Sequence, residues 1–143
     1  MIRKAMIKDA SAIRTLLNQL DYPVAEDGFI ENKLSEMLAH PDQELLIYEH
    51  GKNVAGFVSL HFIPQIALSG AFAVISYLVV DEEYRNKGIG AELEAYCTKL
   101  AKLRRCDRVQ VHCHIRREEA HRFYERQGFQ ESRKYFTKSI KNN

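Results

Sequence analysis

The sequence has little that would tie it to a membrane, a disulfide scaffold or a nucleic acid. Its three cysteines, Cys97, Cys106 and Cys113, are an odd and sparse set with no C-x-x-C pair. They predict reduced thiols rather than cross-links. No apolar run approaches the ~18 residues of a membrane span. The longest, "AFAVISYLVV" at 71–80, is strand-length and contains Ser76. The opening "MIRKAMIKDA" holds no apolar h-region, so no secretory signal is read there and a cytoplasmic location is expected. Helix-turn-helix and zinc-finger spacings are missing, as is a basic stripe interleaved with aromatics. Neither nucleic acid nor membrane is therefore an expected partner.

What is present suits a globular domain. The chain has 143 residues, the size of one domain (1–143) with one core. Apolar content of 45% and charged content of 28% are ordinary. The formal net charge of +2 is unevenly spread: from Arg104 onward there are eleven Lys/Arg against five Asp/Glu, and before it ten against fourteen. Such a basic C-terminal third is either a solvated charged surface or a surface that meets a phosphate-bearing small molecule.

Periodicity lays out the elements. "IRKAM" (2–6) reads as a strand. Asp9 stands as a helix N-cap before the stripe Ile13, Leu16, Leu17, Leu20. After the Pro- and Gly-containing stretch 21–28 comes a second helix with Ile30, Leu34, Met37 and Leu38 on one face, ending near His40-Pro41. "ELLIYEH" and "NVAGFVSLHF" around Gly51-Lys52 predict a β-hairpin. "AFAVISYLVV" predicts a central strand covered on both faces. A helix from Gly90 to Leu103 has Leu93, Tyr96, Leu100 and Leu103 in register. "RVQVHCHI" (108–115) alternates as a strand, "EEAHRFYERQ" (118–127) is a helix stopped by Gly128, and "FQESRKYFTKSI" reads as a last strand. The order β-α-α-β-β-β-α-β-α-β makes one mixed α/β domain.

The segment "YRNKGIGAEL" (84–93) joins the central strand to the third helix. Helix N-termini present unpaired N–H groups and the positive dipole end, and glycine lets an anion approach them closely. Arg85 and Lys87 add full charges. A dinucleotide loop is excluded because "GIGAEL" lacks the third glycine of G-x-G-x-x-G, and no Walker loop occurs. A bare strand-to-helix turn without a ligand would show the same residues.

"RNKGIG" (85–90) resembles the R/Q-x-x-G-x-G/A loop of the GNAT superfamily of acetyl-CoA-dependent N-acetyltransferases. "LVVDEEYR" before it and "AHRFYERQGF" (120–129) after it are also similar to that family's pattern, and the C-terminal segment is most similar to aminoalkylphosphonate N-acetyltransferases. The resemblance runs from the first strand to the last. It implies a mixed α/β single-domain fold: a central, mostly antiparallel twisted sheet of about six to seven strands with about four helices and splayed central strands. It implies acetyl-CoA as cosubstrate, its pantetheine arm along Leu78, Val79 and Val80. The pyrophosphate would lie on Arg85, Asn86, Lys87, Gly88, Ile89, Gly90 and Ala91, and His114 would be a further cofactor contact. Tyr124 aligns with the tyrosine that many members use as general acid. A phenol of pKa about 10 can protonate a departing thiolate whose thiol has a pKa of about 8.5. The bland alternative for Tyr124 is a packed aromatic with a satisfied hydroxyl.

The pattern departs from the family in two places. Many relatives carry a carboxylate late in the central strand as base, where this chain has Val74, Ser76 and Tyr77. His61, Glu26, Asp27 and a water chain are the substitutes. His114 stands where the phosphonate-acetylating relatives have asparagine. With His112 and His121 it suggests either ordinary satisfied histidines or a metal site, and no metal is expected. The resemblance implies an N-acetyltransferase acting on a small primary amine, an aminoalkylphosphonate being the nearest suggestion. Polyamine or peptide amines are the alternative acceptors, a non-catalytic acyl-CoA sensor is the competing class, and a homodimer is a further possibility the family allows.

Overall fold

In a computed structural model, the described residues are 1–20, 28–113, 117–132 and 135–141. They carry β1 (Ile2–Lys4), α1 (Ala10–Gln19), α2 (Phe29–Leu38), β2 (Gln43–His50), β3 (Asn53–Ile63), β4 (Phe72–Val80), α3 (Ile89–Leu103), β5 (Arg108–Val111) and α4 (Glu118–Arg126). Short 3-10 turns occupy Ile7–Asp9 and Glu82–Tyr84. The chain divides into a unit Met1–His112 and a unit Cys113–Asn143. No described helix is long and apolar enough to cross a membrane.

The first unit is one sheet in the order β1-β2-β3-β4-β5, antiparallel except for the parallel β4–β5 pair. The expected hairpin forms, its strands turning at Gly51-Lys52. Alternation along the strands sends side chains to two faces. Leu46, Val58, Leu60, Ala73 and Ile75 pack with Ile89, Leu93, Cys97 and Ala101 of α3. Leu45, Ile47, Phe57 and Val79 pack with Ile13 and Leu16 of α1 and Ile30 and Leu34 of α2. The result is three layers, helices on both faces of the sheet.

Several expectations need correction. Asp9 does not cap α1 through its side chain. Its carboxylate instead accepts from the Met6 N–H and from both terminal nitrogens of Arg3. Leu103 is 71% exposed. The inward row of α3 is Ile89, Leu93, Cys97 and Ala101, each four residues on from the last, so Cys97 takes a core position as a small hydrophobe. β4 is not covered throughout, since Ser76 and Tyr77 are exposed. β5 ends at Val111, and five strands form among the described residues rather than six or seven. Residues 129–132 and 135–141 form no strand. Tyr135, Phe136 and Ile140 are largely exposed, so no burial offsets the entropy of ordering a strand there.

Candidate active site

The site begins with an irregularity in β4. Ser59 pairs with Tyr77 but Leu60 pairs with Ile75, leaving Ser76 as an extra residue. Such a bulge bends the strand and shifts its side-chain phase by one. Ala73 and Ile75 face α3 before it, and Leu78 and Val80 face α3 after it. β4 also leaves β5 here: their pairing runs from Phe72↔Arg108 to Ile75↔Val111 and stops. From Ser76 to Val80 the side of β4 turned toward β5 has no strand partner among the described residues.

The orientation of the freed groups follows from alternation. The Asp81 N–H bonds to the Ala55 carbonyl on β3 at 2.8 Å. Val79, two residues back, turns its peptide groups to the same side, so Leu78 and Val80 turn theirs to the opened edge. Arg85 Nε donates to the Val80 carbonyl at 3.4 Å from that side. The expected splaying of the central strands is thus a bulge followed by an open edge.

The edge leads into the loop 81–88, which is tied down at several points. The Asp81 carboxylate accepts from the Glu83 N–H at 2.9 Å, and Gln19 Oε1 accepts from the Glu82 N–H at 3.1 Å. The Tyr84 hydroxyl accepts from Asn53 Nδ2 at 3.0 Å, and its ring lies 5.1 Å from the His50 ring and 5.3 Å from Lys87 Nζ. Gly88, at φ 80°, is the N-cap of α3 and offers no side-chain cap. The Glu92 N–H already reaches the Gly88 carbonyl. The N–H groups of the first helical residues, Ile89, Gly90 and Ala91, therefore have no intrahelical acceptor. Arg85, Asn86 and Lys87 are exposed beside them. Glu92, the one acid in the first turn, is held by the Tyr48 hydroxyl, whose proton it retains by raising that phenol's pKa. This arrangement can hold an anionic group at a helix start.

Sequence reasoning missed Gly56. A Cβ there would lie 2.8 Å from the Val79 carbonyl and 3.3 Å from Leu93. Its lack of a side chain lets the first turns of α3 sit directly on β3 and β4. An isolated glycine within a strand pattern was the available signal.

In the second unit, α4 ends as expected. The Phe129 N–H bonds to the Tyr124 carbonyl and the Gly128 N–H to the Glu125 carbonyl, each at 3.0 Å, with Gly128 at φ 94°. These are the paired bonds of a Schellman cap. Its companion contact sets the Tyr124 ring edge-on to Phe129 at 5.5 Å, with the Phe123 ring also edge-on at 5.0 Å. The "FYERQGF" segment thus clamps one tyrosine.

Of the proposed bases, Glu26 and Asp27 lie outside the described residues, as does His114. His61 is half-buried on β3, and its Nε2 lies 3.3 Å from Ser59 Oγ. Burial, with His40 nearby, holds its pKa below the ordinary imidazole value. His112 follows the end of β5 and is exposed. Among the described residues no group of three or more His, Cys, Asp or Glu is placed to hold a metal ion.

Against this geometry, residues 10–129 match the profile described as the acetyltransferase (GNAT) family. The chain belongs to the GNAT acetyltransferase family. Like other members it is an acetyl-CoA-dependent acetyltransferase, with acetyl-CoA as cosubstrate. It is 29% identical over 144 residues to the aminoalkylphosphonate N-acetyltransferase of Salmonella typhimurium strain LT2, covering 97% of this chain and 90% of that protein. Among solved structures it resembles a protein from Bacillus halodurans C-125 described as a transcriptional regulator, with TM-score 0.91 and 23% identity over 98% of this chain and 99% of that one. It also resembles glucosamine-6-phosphate N-acetyltransferase from Arabidopsis thaliana, with TM-score 0.85 and 23% identity over 99% of this chain and 98% of that one. These two likenesses show that the chain shares their fold.

Proposed function

We propose that the protein transfers the acetyl group of acetyl-CoA to a small primary amine of the aminoalkylphosphonate class. The observation that carries this reading is the continuity of the opened β4 edge with the uncapped start of α3. An extended pantetheine arm needs strand-like peptide groups, and a pyrophosphate needs convergent N–H donors. Here the first leads directly into the second. Leu78, Val79 and Val80 would line the arm, and a strand N–H turned to the open side would hold the oxyanion that forms at the thioester carbonyl. Arg85, Asn86, Lys87, Gly88, Ile89, Gly90 and Ala91 would take the pyrophosphate. The acceptor class rests on the Salmonella typhimurium relative.

In the chemistry, the amine lone pair attacks the thioester carbon, the C–N bond forms, and the C–S bond breaks as the tetrahedral intermediate collapses. Tyr124 is our choice for the group that protonates the departing thiolate. Its ring is held by Phe129 and Phe123, as an acid with a fixed position requires. The test is thiol release from acetyl-CoA with aminomethylphosphonate, 2-aminoethylphosphonate, a polyamine and a peptide amine. Turnover with the phosphonates, and a kcat lowered about a hundredfold or more by Tyr124→Phe, is expected. Acetyl-CoA binding without turnover on any amine would replace this reading with that of an acyl-CoA sensor. A retained rate in Tyr124→Phe would remove the tyrosine from its role.

A further inference from the structure

β4 has no carboxylate near its bulge, yet an alkylammonium, with a pKa near that of lysine at about 10.4, must lose a proton before it can attack. The neighbouring strand carries the remedy. Tyr77 is paired with Ser59, and Val74 with His61, so these four residues share one face of the sheet around the Ser76 bulge. That face carries α1 and α2, since Phe57 and Val79, in phase with Ser59 and Tyr77, pack against them. His61 therefore lies across from Val74, about 5 Å away in the hydrogen-bonding direction and two residues before the opened edge of β4 begins at Ser76. One ring nitrogen is engaged by Ser59 at 3.3 Å. When Nε2–H donates to Ser59 Oγ, the lone pair of Nδ1 is left as an acceptor.

We propose that His61, oriented by Ser59, is the proton acceptor for the incoming amine, taking the place of the carboxylate that β4 lacks. This rests on the acetyltransferase reading above and adds the base to it. The ammonium gives one proton to the imidazole, directly or through one water. The neutral amine then forms the C–N bond, and loss of the C–S bond releases the sulfur of coenzyme A. The second proton of the attacking nitrogen is matched by the one that sulfur takes up, and the imidazolium returns its proton to solvent. The net reaction converts an ammonium and a thioester to an amide, a thiol and one proton.

The surroundings favour the neutral ring. Gln43 on β2 and Val74 on β4 flank it and carry no charge. His40, beyond the end of α2, and Tyr77 are the titratable neighbours on its side. Asp42 and Glu44 are engaged by Arg104 instead, at 3.3 and 3.9 Å. Burial and then His40 hold the imidazole below its ordinary pKa, which favours the neutral ring.

The test is the pH dependence of acetyl transfer to 2-aminoethylphosphonate in wild type, His61→Gln and His61→Ala. The wild-type kcat/KM should show an acid limb below the ordinary imidazole pKa of about 6.5. His61→Gln should lose about a hundredfold in kcat at neutral pH, and its rate should climb toward the amine's own pKa without that limb. Added imidazole should restore part of the His61→Ala rate. A purely packing role would produce neither the vanished limb nor the rescue. Three results would overturn the proposal: a wild-type profile without the limb, a limb that persists in His61→Gln, or a His61→Ala rate indifferent to imidazole. The first needs no variant to fold. Wild type that releases no thiol with any amine fails earlier, refuting the acetyltransferase reading itself and this base with it.

Discussion

Asp9 is 4% exposed yet carries a charge, and its surroundings explain how. Both terminal nitrogens of Arg3 donate to its two oxygens at 2.8 Å, and the Met6 N–H donates at 2.7 Å. The Arg3 hydrogen bonds, outweighing burial, hold the carboxyl below its usual pKa. Arg3 also meets Glu49 at 2.8 Å, joining β1, the turn before α1 and β2. Removing one member leaves its partner charged and buried, so Asp9→Asn should cost about 3 kcal/mol in urea unfolding. A double-mutant cycle with Arg3→Met should recover much of that loss, and strict additivity would disprove the coupling. Asp9 holds the N-cap position of α1 as the sequence predicts, but its carboxylate serves Arg3 and the Met6 N–H instead of the helix. A side-chain cap is a local signal, whereas the competing partner, Arg3, is brought in by the strand before the turn. Cys97 is hidden for a similar reason: a sparse set of cysteines speaks to redox state, whereas its core place follows from the inward row of α3.

At the scale of elements, α3 decides whether the anion site exists. Its start was legible because an apolar row and two glycines fall together at 88–93. Its close seating was not, because that depends on Gly56, far away in the chain. A Cβ at position 56 would meet the Val79 backbone carbonyl at 2.8 Å, and a backbone atom cannot swing aside as a flexible side chain can. Gly56→Ala should therefore strain the β3–β4 pairing and press on Leu93 of α3, 3.3 Å away, costing about 1–3 kcal/mol of stability. It should weaken acetyl-CoA binding by more than a matched destabilisation elsewhere in α1, measured by calorimetry at a temperature where both variants are folded. Equal affinities in the two variants would separate the seating of α3 from the cofactor site. The bulge at Ser76 was equally hidden, since "AFAVISYLVV" alternates too weakly to reveal a change of phase. The predicted final strand does not form among the described residues because alternation alone supplies no partner, and Tyr135, Phe136 and Ile140 remain exposed.

For the whole molecule, His61, Asp9 and Cys97 shape the pH dependence of stability. His61 and Asp9 both have folded pKa values below their ordinary ones, so the unfolded chain binds more protons than the folded one as pH falls. Stability should decline first below about 6.5 as unfolded His61 titrates, and again below about 4 as unfolded Asp9 does. Cys97 acts in the opposite direction. Burial, reinforced by Glu94, pushes its thiol up to about 12, so the unfolded chain gives up that proton first as pH rises. Stability should decline above about 8.5, the pKa of an unfolded thiol, leaving a maximum near neutrality. Urea midpoints measured from acid to alkaline pH test this, and each limb has its own control. His61→Gln should flatten the step near 6.5 while leaving the alkaline limb intact. Cys97→Ala should shrink the alkaline limb, to which Cys106 and Cys113, also raised by burial, add, while leaving the acid step intact. The same assignment predicts that a thiol reagent modifies Cys106 and Cys113 before Cys97 in the folded protein, because Cys97 is both fully buried and protonated. An alkaline limb undiminished by Cys97→Ala would show that another group, and not this core thiol, governs unfolding at high pH.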